Sequence, residues 1–206
     1  MPVTFPAIVL TQKIQQNKNM VIYYPVVRGL NQINVEQKIN NLIVSETQKL
    51  INYQFANVPS TVKEMLGSFE VKNNQRNILS LTLSNYVYYD KAAHGMTYLK
   101  PLTINTKTGE NFRLSDLFQT GSNYVERISK IIKAQIKERD IFVLGEFEKI
   151  KPNQDFYVAD KTLVIFFQLY ELTPYAYGFP MFPISVFELQ DIILENGPLG
   201  KMIAGN

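Results

Sequence analysis

The chain has 206 residues, of which 46% are apolar and 19% charged, a composition that is typical of a folded globular protein and excludes a disordered one. It contains no cysteine, which excludes disulfides, thiolate nucleophiles and Cys-based zinc sites. The 21 Lys and Arg nearly balance the 18 Asp and Glu, so no nucleic-acid footprint stands out, and no apolar run approaches the roughly 20 residues of a membrane span.

Each predicted strand contains apolar residues that either alternate with polar ones or form a continuous run, and turn-forming residues flank it. Pro25, which has no backbone donor, predicts an edge or a bulge in the second of them. The sequence NNQRN predicts the turn of a hairpin, and Gly109 suits a turn that needs a positive φ. Strands are predicted at 5–16, at 19–28, in a hairpin over 67–90, at 96–106 and in a strand pair over 155–171.

Apolar residues at helical spacing predict two long helices, over about 35–55 and 123–139. A shorter helix is predicted after FPISV, and Gly197 with Pro198 is expected to end the ordered chain. Three pairs have the spacing of a capping box, namely Asn34 with Gln37, Asn123 with Glu126, and Ser185 with Glu188.

The order of these elements is strand pair, helix, strands, helix, strands and short helix. Without regular βαβ alternation, this order predicts an α+β fold with mainly antiparallel sheet packed against two long helices and a short C-terminal one. No Gly- or Ser-rich linker interrupts the chain. We therefore expect one compact unit with two subregions, 1–92 and 93–206.

His94, in the sequence AAHG, is the single histidine and the first candidate for chemistry. A general base needs a nucleophile or a partner acid, and no nucleophile elbow or metal-ligand spacing accompanies it. Small neighbours and Gly95 favour a tight structural connection, in which the imidazole bonds across the loop. A structural role, a place on a binding surface and catalysis all stay open, in that order of preference.

The sequence YELTPYAYGF holds several rings within ten residues and is the main candidate for a binding surface. Tyrosine offers contact area at a low cost in side-chain entropy, and a glycine permits an unusual turn. The alternative is that these rings close the end of the sheet as part of the core. The candidate binding residues are Tyr170, Glu171, Pro174, Tyr175, Tyr177 and Gly178.

Four basic residues gather on one side of the second long helix. Such a row is most often a solvated face, and less often a surface for a polyanion. They are Arg127, Lys130, Lys133 and Lys137.

Two stretches of the second half resemble the RsiV-like domain. They are AAHGMTYLKPLTINTKTGENFRLSDLF, from Ala92 to Phe118, and FYVADKTLVIFFQLYELTPYAYGFPMFPISVFELQDII, from Phe156 to Ile193. The first half, with its YYPVV strand and long helix, is similar to the PdaC-type domain that usually precedes it. The resemblance implies that fold, and it implies that Pro174 and Tyr175 face a partner.

The resemblance implies binding rather than catalysis. The RsiV-like domain is the extracellular part of a lysozyme-sensing anti-sigma factor. PdaC-type deacetylases carry their metal-binding Asp and His residues in a separate domain. A chain with a single histidine cannot supply that domain. We therefore expect a non-enzymatic binding or sensor module, without cofactor or metal, for a lysozyme-like protein or a peptidoglycan glycan.

A second hypothesis starts from the N-terminal sequence, which lacks the features of a signal peptide. If Met1 is the native start, the sequence predicts a cytoplasmic protein, although the resembled family is extracytoplasmic. The alternative function is thus that of an intracellular protein that uses the same fold for a different partner or a small ligand.

Overall fold

The computed structural model describes residues 6–56 and 61–203. The chain splits into two compact units, Met1–Asn111 and Phe112–Asn206, a division that falls later than the position near residue 92 suggested by the sequence. Each unit has its own sheet. The predicted α+β fold with mainly antiparallel sheet is confirmed.

Five strands form one sheet in the first unit, in the order in which they follow along the chain. They are β1 (Ile8–Asn17), β2 (Met20–Arg28), β3 (Val62–Gln75), β4 (Ile78–Tyr89) and β5 (Met96–Asn105). Neighbours are antiparallel except for β2 and β3, which pair in parallel over three residues each, from Met20 and from Met65. The predicted strands are confirmed, and residue 5, the predicted start of the first, lies outside the described residues.

Two local features of this sheet follow from the sequence. Pro25 pairs with Thr11 of β1 and lies beyond the short parallel contact with β3, so its missing N–H costs no bond on that side. Arg76 and Asn77 form the turn between β3 and β4, with φ values of 54° and 60°. Two consecutive positive φ values match the twist of a tight hairpin.

Helix α1 (Ile33–Ala56) buries one stripe against the sheet. The helix predicted at 35–55 is confirmed, and its apolar residues pack with Val27, Leu81 and Ile104. The buried positions recur every three or four residues, at Val35, Ile39, Ile43, Thr47, Ile51 and Gln54.

The predicted cap of α1 is wrong. Because the helix begins at Ile33, Asn34 lies inside its first turn rather than before it. Glu36 fixes the start instead: one carboxylate oxygen accepts a hydrogen bond from the Leu30 backbone N–H at 3.2 Å, and the other pairs with Arg28 at 3.2 Å.

The second unit combines helix α2 (Tyr124–Glu138) with a three-stranded antiparallel sheet. The strands are β6 (Phe156–Ala159), β7 (Thr162–Phe166) and β8 (Met181–Ser185). The predicted turn near Asp160 is confirmed, since Asp160 has a φ of 48° between β6 and β7. The unit also contains single 3-10 turns, at Leu114–Leu117, Tyr175–Tyr177 and Val186–Leu189, and a last helix, α3 (Pro198–Ile203).

At the helix ends of this unit, one of the predicted capping boxes is confirmed and two other predictions are wrong. Ser185 and Glu188 form the predicted capping box, although the element they cap is a 3-10 turn. Asn123 precedes α2 but makes no side-chain cap bond, so that capping box is wrong. The predicted end of order at Pro198 is also wrong, because proline suits the first position of a helix, where its N–H would be unpaired, and α3 starts there.

Among residues 6–56 and 61–203, no helix combines the length and the apolar character that crossing a bilayer requires.

Candidate functional site

His94 lies in the connection between β4 and β5 of the first unit and is exposed to solvent. Its Nδ1 is 2.9 Å from the carbonyl oxygen of Gly95. In the described parts of the chain, no three His, Cys, Asp or Glu residues gather in a way that could hold a metal ion. The bond of the exposed ring reaches the next residue along the chain, and the structural role of His94 stays a prediction.

Gly95 is the buried residue of this connection. A Cβ built on it would lie 2.1 Å from Cε2 and 2.4 Å from the hydroxyl oxygen of Tyr86, so the end of the half-buried Tyr86 ring would have to move to admit a side chain. Tyr88 supports the other end of the loop, since its hydroxyl donates to the Ala92 carbonyl at 3.0 Å. The tightness predicted for AAHG therefore comes from two tyrosines of β4.

The loop over 170–178 connects β7 to β8 in the second unit, and its backbone is unusual at both ends. Tyr170 has a φ of 65°, in the left-handed region that bulky residues rarely adopt. Pro174 precedes the 3-10 turn of Tyr175–Tyr177, and Gly178 ends it with a φ of 79°. The glycine that the sequence predicted for an unusual turn has that role.

The tyrosines of this loop form two groups rather than one surface. The rings of Tyr170 and Tyr175 pack together with centroids 5.6 Å apart, and Tyr170 remains 47% exposed. Tyr177, 44% exposed, has its hydroxyl 3.5 Å from the Arg139 guanidinium just after α2. Buried residues between and before the rings anchor the loop to the core, namely Leu169, Leu172 and Thr173.

Glu171 is held by three donors and keeps 22% of its side-chain surface accessible. Its Oε1 accepts from Lys151 Nζ at 2.7 Å and from Gln154 Nε2 at 3.3 Å, and its Oε2 accepts from the Gln168 backbone N–H at 2.8 Å. Burial acts to raise the pKa of Glu171, but these bonds outweigh it, so the pKa lies below its usual value. The carboxylate clamps the loop to the segment that contains Lys151.

Residues 144–151 form one wall of a cleft that was not predicted from the sequence. The cleft has a volume of about 530 Å³. The Leu144 N–H donates to the Leu172 carbonyl at 2.9 Å, and the rings of Phe147 and Phe167 meet edge to face at 5.8 Å. Apolar and charged residues both line the cleft, namely Leu144, Gly145, Glu146, Phe147, Glu148, Lys149, Lys151, Gln154, Phe167, Glu171 and Leu172.

The sequence signal for this wall is the apolar content of IFVLGEFEKI, which reads as a strand but forms none. Phe142 is 71% exposed and Leu144 54% exposed in this irregular segment. Large apolar side chains that stay exposed beside a cleft are typical of contact surfaces.

The basic side of α2 is divided in the structure. Arg127 is engaged, since it donates to the Glu188 carbonyl at 3.1 Å and lies 3.7 Å from the Asp191 carboxylate. The three lysines at 130, 133 and 137 are exposed. A solvated face accounts for them, and the polyanion hypothesis stays a prediction.

Comparisons with known proteins agree with this architecture. The family model "Deacetylase PdaC" matches residues 12–97, and the model "Protein of unknown function (DUF3298)" matches residues 115–186. No curated protein matches the sequence.

Two solved structures of DUF3298 family proteins resemble the whole chain. The one from Bacteroides fragilis is 14% identical with a TM-score of 0.67, and the match covers 99% of this chain and 98% of that one. The one from Pseudomonas aeruginosa is 13% identical with a TM-score of 0.68, and the match covers 98% of each chain. The chain thus carries a PdaC-type match followed by a DUF3298-type match and has the fold of DUF3298 family proteins.

Proposed function

We propose that this protein is a non-enzymatic binding module whose second unit recognises a cell-wall-related partner, either a lysozyme-like protein or a glycan. The contact surface consists of the Tyr170–Tyr175 ring pair and the neighbouring cleft. The resemblance to the RsiV-like domain and the PdaC match suggest the class of partner.

The conformation of Tyr170 is the observation that carries the proposal. A residue other than glycine in the left-handed region costs about 1–2 kcal/mol. Tyr170 has a φ of 65°, and its ring, which packs against Tyr175 on one side, stays 47% exposed. Backbone strain that presents a side chain to solvent is typical of functional positions.

The chemistry of the surface suits both partners. A tyrosine ring offers an apolar face with a polar hydroxyl, so it can stack on the C–H face of a sugar or fill a pocket on a protein. Beside the ring pair, the lining of the cleft supplies charged donors and acceptors together with apolar side chains. Apolar contact surrounded by polar groups is the usual anatomy of a recognition site.

Titration against c-type lysozyme and against soluble peptidoglycan fragments tests the proposal. We expect saturable binding to one of them, and at least tenfold weaker binding by Tyr170→Gly. Glycine accepts the left-handed φ, so this variant removes the ring without straining the loop. Phe187→Ala is the matched control, because Phe187 is a 50% exposed ring elsewhere in the same unit. No association with either partner at concentrations up to about 1 mM would overturn the proposal.

A small polar ligand is the alternative, and a cavity in the first unit favours it. The cavity has a volume of about 360 Å³, within the range of small-molecule sites. Its polar lining residues are Asn31, Gln32, Asn77, Thr106 and Lys107. If a metabolite raises the melting temperature of the wild type and of Tyr170→Gly equally, but not that of Lys107→Ala, this alternative replaces the first.

A further inference from the structure

Strand β1 is the last strand at one edge of the first unit's sheet. Within residues 6–56 and 61–203, β2 is its strand partner, and the other side of β1 has none. Nine of its ten residues are exposed. Ile8, Leu10 and Ile14 are 55%, 49% and 39% exposed, which places three branched apolar side chains on an open edge.

An open edge specifies the kind of partner that fits it. The outward N–H and C=O groups of an edge strand form a ladder that only another extended strand can complete. The opposite edge of this sheet is covered where Ile104 of β5 bridges to Asn111 and the Asn111 side chain accepts from the Thr103 N–H at 3.2 Å. Strand β1, by contrast, is ten residues long and carries three exposed apolar side chains.

The sequence of β1 is complementary to itself. When a two-fold axis relates two antiparallel copies of the strand, the numbers of the two residues that face each other always add up to the same value. With the axis at Gln12, Leu10 of one copy faces Ile14 of the other, twice over. Lys13 then faces Thr11. With the axis one residue further on, two Lys13 side chains would face each other, which is unfavourable. The charge pattern thus disfavours the axis at Lys13, whereas the axis at Thr11, which sets Ile8 against Ile14, is the second register that the apolar pattern allows.

We propose that β1 is the interface of a homodimer, in which two copies pair antiparallel around Gln12 and join their sheets into one. The paired stretch runs from Val9 to Gln15 in each copy and ends before the irregularity at Gln16. It completes the backbone ladder of both edges and brings the exposed Leu10 and Ile14 side chains into cross-strand contact.

A cysteine placed on the axis tests the register, because the chain has no cysteine of its own. Gln12→Cys brings two thiols face to face across the interface, whereas Gln15→Cys, the matched control on the same strand, faces Val9. We expect mild oxidation to link Gln12→Cys into a covalent dimer at least tenfold faster than Gln15→Cys. Equal rates for the two variants would overturn the proposed pairing.

Sedimentation at increasing protein concentration tests the interface itself. Leu10→Lys brings a charge to the apolar pair and should weaken dimerisation at least tenfold. Val44→Lys makes the same change on an exposed site of α1, 47% accessible, and should leave it unchanged. Circular dichroism checks that both variants are folded. A wild type that stays monomeric at millimolar concentration, or a dimer that Leu10→Lys leaves intact, contradicts the proposal.

Discussion

Gly95 lies so close to the ring of Tyr86 that a side chain on Gly95 would displace the end of that ring. The neighbouring His94 ring is exposed. The histidine is conspicuous in the sequence because it is the single one. In the structure, however, the residue whose replacement is limited by packing is Gly95. The composition of AAHG predicts a tight loop, yet it does not tell which ring requires the space, because Tyr86 comes from the preceding strand.

We predict that Gly95→Ala destabilises the protein by about 1 kcal/mol, the low end of the cost of overpacking, because the end of the half-buried Tyr86 ring has to move. His94→Ala should change the free energy of unfolding by less than about 0.5 kcal/mol, as exposed substitutions do. Urea denaturation of both variants measures the difference. A larger loss for His94→Ala than for Gly95→Ala would show that the imidazole, and not the glycine, holds the loop.

Glu171 makes stability depend on pH at the candidate surface. Its pKa is lowered from 4.5 in the folded protein, so its ionised form is stabilised by folding. This contribution is fully present above about pH 4.5 and is lost as the pH falls through the lowered pKa. Gln has the shape of Glu without the charge, so Glu171→Gln removes this contribution.

We therefore expect Glu171→Gln to be less stable than the wild type at neutral pH, and the difference to shrink as the pH falls below 4.5. Denaturation at several pH values measures it. Glu148→Gln, an exposed change on the wall of the same cleft, is the control and should give a small difference. A difference that grows on acidification would contradict the clamp.

Among the secondary-structure elements, capping depends on where a helix begins, which the sequence shows only to within a few residues. The three-residue spacing was right at Ser185, where the Phe187 N–H donates to Ser185 Oγ at 3.3 Å and the Ser185 N–H donates to Glu188 at 3.2 Å. It was wrong at Asn34 and at Asn123. At Asn34 the helix starts earlier, and at Asn123 the residue has the right place but not the bond.

These two outcomes give a matched pair of substitutions. Ser185→Ala should destabilise the protein by about 1 kcal/mol, because it removes a side-chain cap. Asn123→Ala should change stability by less than about 0.5 kcal/mol, since no side-chain cap bond is lost. Thermal denaturation compares them. Equal losses at the two sites would mean that cap bonds do not account for the cost.

The irregular segment that walls the cleft could not be predicted from its own residues. Its apolar content suggests a strand, but the Leu144 N–H bonds to Leu172, a partner in the 170–178 loop rather than on a neighbouring strand. A bond between two irregular segments has no periodic pattern in either. The tyrosine loop, in contrast, was visible because composition alone marks it.

For the whole molecule, periodicity predicted most of the architecture. Alternating residues identified the strands, and apolar residues at helical spacing from Val35 to Leu50 identified α1, because burial on one face repeats with the period of the element. The division after residue 111 was not visible, since no change of composition marks it. The cleft beside the tyrosine loop and the open edge of β1 both depend on which segments of the chain lie next to each other. Tertiary packing decides this, and no local sequence pattern shows it.

We predict that residues 1–111 fold when they are expressed alone, because this unit has its own sheet, helix and buried clusters around Ile39 and Met65. Circular dichroism should show mixed helix and strand, and denaturation should be cooperative. A fragment that lacks cooperative unfolding would show that the first unit needs the second to fold.

The short parallel contact between β2 and β3 has a consequence for how the first unit forms. Strands β1 and β2 make a local hairpin, and β3, β4 and β5 make a meander, so each group can form from contacts close in sequence. Among the strands of the described residues, the ladder that joins them runs over Met20–Ile22 and Met65–Gly67, across the whole of α1, and there Ile22 lies where a side chain on Gly67 would be. Helix α1 packs on both groups, and the Ala7 backbone exchanges two hydrogen bonds with the Asn74 side chain of β3. Because this seam links segments that lie far apart in the sequence, we expect it to close last during folding, after the hairpin and the meander have formed.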